Sequence, residues 1–216
     1  MNTLVISILA QKGGVAKSFL AKLIGVELAK LDFKVLIADM DISQQTTTRW
    51  WKRRVHSGIK PDIDVKNYKK VKDIESDINN YNFVVFDGLP STGDKSTSVK
   101  TMEIGVMSNL IIIPGSSSIE DMEPQVDLAH ELVKNGIEKE RILFCMTRAS
   151  ESKSTNRDAV EYLENTGYKV IPCYIPFKTS YQAVALEGKA GSETRYPNLN
   201  KNCKAVVQYI ANYMNL

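Results

Sequence analysis

Three short stretches of this chain hold residues that, by type and spacing, suit the binding of phosphate and metal. The first runs from Ala10 to Phe19 and reads Ala-Gln-Lys-Gly-Gly-Val-Ala-Lys-Ser-Phe. Gly13 and Gly14 free the backbone to bend, so that successive N–H groups face one small hollow, a cradle for an anion. Lys17 adds a point charge for the outer phosphates, and the Ser18 hydroxyl is a hard oxygen suited to magnesium. The second stretch, Asp39-Met40-Asp41, and the third, Asp87, supply carboxylates. Each ends an apolar run, and Asp39 and Asp41, two residues apart, share one face of a strand. A strand-end aspartate equally serves to cap a turn, so the carboxylates alone do not decide their role.

The elements that would position these residues are legible. The apolar run Leu4–Leu9 leads into the loop, and helical periodicity follows from Phe19 to Leu31. That is the strand–turn–helix context a phosphate loop requires. Lys34–Ala38, Ile63–Tyr68, Asn82–Phe86, Asn109–Ile113, Arg141–Met146 and Val170–Tyr174 read as further strands, Ile63–Tyr68 at an edge. The strands ending at Asp87 and Pro114 are expected to stop there. Helices are expected over 45–56, Val71–Tyr81, Ile119–Asn135 (capped by Gly136), Arg157–Asn165 and Leu199–Met214, with a polar turn region after Tyr174. The alternation predicts an α/β fold: a doubly wound, mainly parallel sheet with flanking helices and its ligand at the carboxyl ends of the strands. With no internal repeat or low-complexity linker, residues 1–216 are expected to form one domain.

Composition narrows the class. Hydrophobic content of 43% and charged content of 25% are ordinary for a soluble globular protein. No run approaches the ~20 apolar residues that span a bilayer, and no basic region precedes the first apolar run, so no signal peptide is expected. Cys145, Cys173 and Cys203 are isolated and lack metal-ligand spacing, which fits inert thiols in a reducing cytoplasm. His56 and His130 carry no catalytic assignment. The net charge of +3 is uneven: residues 49–72 hold nine Lys or Arg against Asp62 and Asp64, leaving the remainder slightly acidic. Arg49, Lys52, Arg53 and Arg54 surround Trp50 and Trp51, and Lys66, Lys69, Lys70 and Lys72 follow. This stretch reads either as a DNA-facing surface or as a solvated helix face with its tryptophans packed inward. Lys178, Lys189, Arg195, Lys201 and Lys204 are further cations toward the C-terminus. The final helix carries Val206, Val207, Ile210 and Met214 but no Lys or Arg in its last ten residues, which favours core packing over membrane attachment.

The loop departs from the ordinary G-x-x-x-x-G-K-[ST] pattern, with Gln11 and Ala16 where glycines are usual. Lys12-Gly13-Gly14 ahead of Lys17-Ser18 resembles instead the deviant phosphate loop of the ParA/MinD family of ATPases, K-G-G-x-G-K-[ST]. Further landmarks follow in the family's order over residues 3 to about 200: Asp39-Met40-Asp41 with Gln44-Gln45 and Trp50-Trp51, then Asp87, Pro114 with Ser117 and Asp121, Thr147-Arg148, and Ile175-Pro176-Phe177. Within the family the chain is similar to the small ParF-type plasmid-partition ATPases, which lack an N-terminal helix-turn-helix domain; none is expected here.

The resemblance implies a P-loop NTPase architecture with ATP and Mg2+ as cofactors. It assigns nucleotide binding to Lys12, Gly13, Gly14, Val15, Ala16, Lys17, Ser18 and Phe19, and a base pocket to Thr147, Arg148, Pro176 and Phe177. Ser18, Asp41 and Asp87 would surround the metal, and Lys12, Lys17 and Asp41 would serve hydrolysis. Lys12 would reach the nucleotide of the other subunit in an ATP-bound homodimer or a higher-order assembly. The implied partners are non-specific DNA and a ParB-type centromere-binding protein that stimulates hydrolysis; the implied location is cytoplasmic and nucleoid-associated, without a membrane. Three departures surround the loop: Ala16 for glycine, Phe19 for a common threonine, and Gly88-Leu89 for the usual Thr-Pro. If φ at Ala16 is positive, the methyl group adds strain of ~1–2 kcal/mol. The alternative is a degenerate family member, a nucleotide-insensitive scaffold or DNA-binding module.

Overall fold

The computed structural model describes residues 3–90 and 95–216. Its frame is a sheet of β1 (Leu4–Ala10), β2 (Val35–Asp39), β3 (Asp64–Asn67), β4 (Phe83–Pro90), β5 (Leu110–Gly115), β6 (Ile142–Ala149) and β7 (Lys169–Val170), with a short β8 (Ile175–Pro176) paired to the carboxyl end of β6. The order is β3-β2-β4-β1-β5-β6-β7. Every pairing is parallel, so the chain must return across a face of the sheet between paired strands. β1 lies centrally, with β2–β4 on one side and β5–β7 on the other, so the winding reverses at β1. The crevice at its carboxyl end is where such sheets hold ligands.

Helices α1 (Lys17–Ala29), α2 (Thr46–His56), α3 (Glu75–Ile78), α4 (Lys95–Met107), α5 (Ile119–Lys134), α6 (Lys153–Asn165), α7 (Thr179–Leu186) and α8 (Pro197–Tyr213) complete the fold. Alternate strand residues feed two cores. Ile6, Ile8, Ile37, Val85 and Ile112 pack with Leu20, Leu23 and Ile24 of α1 and Val206 and Ile210 of α8. Val5, Leu9, Leu36, Val84 and Ile113 pack with Ile104 of α4, Leu128 and Leu132 of α5 and Leu163 of α6. Burial on both faces is why the strands read as continuous apolar runs. Each fully buried aliphatic side chain stabilises the fold by about 1.5–3 kcal/mol.

The structure differs from the sequence reading mainly at strand ends. β4 continues through Asp87 to Pro90, because Asp87 still pairs with Ile8 of β1 and Asp39 of β2. β5 likewise includes Pro114 and Gly115, paired to Cys145 and Met146. Val71–Tyr81 is a 3-10 turn followed by the single-turn α3, not one helix. Two helices lie where none was expected: α7 occupies part of the polar turn region, and α4 has exposed Val99 and Val106 that blur its apolar stripe. Gly136 does close α5. Its φ is +90°, its N–H donates to Val133 O, and Ile137 N–H donates to Leu132 O, a Schellman closure. Val206, Val207 and Ile210 of the last helix are buried, and among the described residues no helix is long and apolar enough to cross a membrane. Cys145 and Cys203 are buried free thiols, and burial pushes Cys203 up to about 12.

Candidate functional site

The loop after β1 is shaped by two left-handed residues. Gly14 has φ +77° and Ala16 has φ +69°, on either side of the buried Val15. Such alternation points successive N–H groups into one concavity. A Cβ added at Gly13 or Gly14 would meet nothing within 4 Å, so the space over the loop is open. Ala16 is the N-cap of α1, with no side-chain cap, and its carbonyl accepts Leu20 N–H at 3.1 Å. The strain that the sequence made conditional on φ is therefore present. Ala16→Gly should raise stability by about 1 kcal/mol, net of glycine's greater unfolded-state entropy. In a thermal melt that is a gain of about 2–4 °C; a fall would show that the methyl group supports the loop.

Lys17 opens α1 inside the crevice. It is buried, and its Nζ donates to Lys12 O at 3.4 Å. Burial lowers its pKa, opposed by the charges of Asp87 and Asp41. The strand-end acids face it, held by the first turn of α2. Thr47 Oγ1 donates to Asp87 Oδ2 at 2.6 Å; Thr48 donates to Asp39 Oδ2 from both N and Oγ1 at 2.9 Å. Asp39 Oδ1 also accepts Asp41 N–H at 3.2 Å. Asp39 is therefore a buried support, whereas Asp41 is partly open and accepts from Ser43 Oγ at 2.6 Å and Gln44 N at 3.0 Å. Burial pushes the Asp41 carboxyl up, but these hydrogen bonds and Lys17 outweigh it, so it titrates below the usual range.

Asp87 differs. Burial pushes its carboxyl up, and the hydrogen bonds from Thr47 and Ser18 only partly oppose this. A carboxyl raised in the folded state binds its proton more tightly there than in the unfolded chain. Its contribution is therefore lost as pH rises from the ordinary carboxylate range through the raised folded value. Asp87→Asn should remove that loss, so its melting temperature should gain on the native one as pH rises above the ordinary carboxylate range. A constant difference across pH would contradict this.

A cleft of about 290 Å³ is lined by Gly13, Gly14, Ala16, Lys17, Ser18, Lys22, Asp39, Asp41 and Asp87, together with Gln44 and Thr46. Beside it lies an apolar cavity of about 390 Å³ whose walls include Phe19, Thr147, Arg148, Ile175, Pro176 and Phe177. The two share Gly14, Ala16, Phe19 and Lys22. The structure thus brings the loop, the acids and the expected base-pocket residues together. Thr147 lines this cavity and also holds the loop in place. Its hydroxyl donates to Val15 O at 3.2 Å and Gly115 O at 3.1 Å, tying the loop to the end of β5. Arg148, left-handed at φ +55°, donates to Gly14 O at 3.1 Å, with its guanidinium over the Phe177 ring. Phe19 packs edge-on against Tyr181, with ring centroids 5.1 Å apart. Gly88 is required by space: a Cβ there would lie 2.7 Å from Ile8 O.

Lys12 points away from its own cleft. Its Nζ donates to Glu120 O at 3.0 Å and pairs with Asp121 Oδ1 at 3.3 Å. Pro124, inside α5, has no N–H to offer the carbonyl four residues back, so Glu120 O is left for Lys12. In the basic stretch of α2, Arg49 and Lys52 are exposed, whereas the tryptophans and Arg54 serve packing. Trp50 is fully buried, and its Nε1 donates to Lys189 O at 3.0 Å; Trp51 Nε1 donates to Ile63 O at 2.7 Å. Arg54 is 1% exposed and grips Glu193 with both terminal nitrogens at 2.8 and 3.1 Å.

The sequence reading missed Thr47, Thr48, Lys22 and Glu120. The run Thr46-Thr47-Thr48 just after the paired acids was the available signal for the first two, since buried carboxylates need donors.

A family model described as the CobQ/CobB/MinD/ParA nucleotide binding domain matches residues 6–190. The chain belongs to this family. No curated protein matches it significantly. Solved structures with the same fold include the cell division ATPase MinD of Pyrococcus furiosus, at 16% identity and TM-score 0.75, covering 97% of this chain and 98% of that one. A plasmid partition protein of Borrelia burgdorferi bound to AMPPNP aligns at 18% identity and TM-score 0.72, over 98% and 99% of the two chains. Apo McdA of Cyanothece aligns at 16% identity and TM-score 0.73, over 97% and 100%. In this MinD/ParA-family chain the cleft donors suit a magnesium nucleotide. Two carboxylates and a hydroxyl are too few to cage a metal, and among the described residues no group of three or more His, Cys, Asp or Glu is placed to hold a metal ion by itself. Mg2+ ordinarily takes one or two carboxylates and completes its shell with phosphates and water.

Proposed function

We propose that this chain is a ParA-type ATPase that moves DNA, switching between states with ATP and Mg2+. The observation that carries this reading is the convergence of Lys17, Ser18, Asp41 and Asp87 on one cleft that opens into an apolar cavity. Phosphoryl transfer to water asks for positioning and charge neutralisation rather than covalent chemistry. Lys17 and the loop N–H groups hold the phosphates. Ser18 and Asp87 face the metal, which when bound neutralises charge on the transferred group. Asp41, ionised and partly open, orients the attacking water. Pro176 and Phe177 wall the base, and Thr147 and Arg148 fix the loop against that wall.

Lys12, pinned to α5 by an exposed pair worth at most about 1 kcal/mol, is free to leave Glu120 and Asp121 for the nucleotide of a second subunit. DNA is assigned to the α8 side, where Arg195, Lys201 and Lys204 line a groove of about 480 Å³, ahead of α2, where Trp50, Trp51 and Arg54 are committed to packing and Arg49 and Lys52 stay exposed. A ParB-type protein is the proposed stimulator of hydrolysis.

The strained Ala16 favours a second reading, a nucleotide-insensitive DNA-binding scaffold. Sedimentation with and without DNA, in ATP, ADP or no nucleotide, separates them. The ATPase reading expects an ATP-dependent dimer and salt-sensitive DNA binding. Binding that ignores nucleotide supports the scaffold, and no DNA binding in any state sinks both.

A further inference from the structure

Lys22 lies one helical turn beyond Ser18 on α1, so the two side chains leave the same face of the helix. It is only 8% exposed, and it lines both the phosphate-loop cleft and the apolar cavity, standing at the seam between them. The other cations around the apolar cavity are engaged. Arg148 donates to Gly14 O, Lys178 pairs with Glu151 at 2.7 Å, and Lys189 pairs with Glu187 at 2.6 Å. Among the described residues the Lys22 ammonium has no hydrogen bond or ion pair; it lies over the Trp50 ring, 5.8 Å from the centroid.

A largely desolvated ammonium without a counter-ion at bonding distance gains from an anion brought to it. Burial lowers its pKa, with Asp87 the largest opposing charge. Phe19, the other side chain of this helix face at the seam, has only a ring to present, and that ring packs on Tyr181. A nucleotide whose outer phosphates lie in the cleft and whose base lies in the cavity must pass the phosphate that joins the sugar through this seam.

We propose that Lys22 binds that sugar-linked phosphate, so that the apolar cavity selects phosphorylated nucleosides over free ones. The inference rests on the nucleotide reading of the site. It is tested by calorimetric titration of the native chain, Lys22→Gln and Lys22→Arg with adenosine, AMP and ADP, beside thermal melts without ligand. The native chain should bind AMP about ten- to a hundredfold tighter than adenosine, the worth of a charged hydrogen bond. Lys22→Gln should collapse that ratio toward one while leaving adenosine affinity unchanged, and Lys22→Arg should keep most of it.

A ratio that survives Lys22→Gln overturns the proposal. So does an equal loss for all three ligands with a lowered ligand-free melt, which would make Lys22 a counter-charge for Asp39 and Asp87 only. Failure of the native chain to bind any of the three overturns the nucleotide reading itself, and Lys22 with it.

Discussion

Lys17→Met should weaken ATP binding by roughly thirtyfold to several-thousandfold, the cost of removing one partner from a buried, hydrogen-bonded charge pair. Methionine keeps the apolar stem, so the loss reports the ammonium alone. In the free protein that ammonium is disfavoured by burial more than Asp87 and Asp41 support it. The nucleotide-free variant should therefore melt no lower than the native chain. Titration with ATP in magnesium, paired with a thermal melt, checks both halves. An affinity within about threefold of native, or less than ~0.7 kcal/mol, would mean Lys17 does not face phosphate. A large fall in melting temperature would mean that its role is structural.

Arg54→Ala should have the largest effect on stability. Arg54 sits 1% exposed in α2, forks onto Glu193, and donates to Gly188 O at 3.2 Å and Lys60 O at 2.9 Å. Removing it leaves a carboxylate and several carbonyls without donors. Breaking a buried pair from one side costs about 3–5 kcal/mol. For a chain of this size that is a fall of about 6–20 °C in melting temperature. DNA affinity of the still-folded fraction at low temperature should be unchanged. A variant that melts normally but no longer holds DNA would return α2 to the DNA surface and displace α8.

The contrast between Lys17 and Arg54 shows what was legible in the sequence. Lys17 lies in a local pattern, with strand, glycines, lysine and serine within fifteen residues, and local patterns determine local backbone. Asp39, Asp41 and Asp87 were legible for the same reason, since apolar runs that end in acids mark the carboxyl edge of a parallel sheet. Arg54 was not, because its partner Glu193 is 139 residues away and a run of cations looks the same whether solvated or buried. Thr147 was placed at the right end of β6, but its hydroxyl is spent on Val15 and Gly115, a choice made by tertiary contact. Lys12 could be picked out by type, whereas its present acceptor depends on Pro124 vacating a carbonyl in α5, which no spacing near Lys12 reveals. The extra residues of β4 and β5 arise from neighbours that keep pairing with them. A strand's end is set by the sheet as much as by its own residues.

The most direct test of the account is calorimetric titration of the native chain with ATP in the presence and absence of Mg2+. The account predicts one saturable site per chain, with affinity in the micromolar range that strengthens with the metal. Saturation would show that a loop with alanine in a left-handed conformation still closes on phosphate. No binding under either condition would contradict the nucleotide site, leaving a fold that keeps the cleft without the switch.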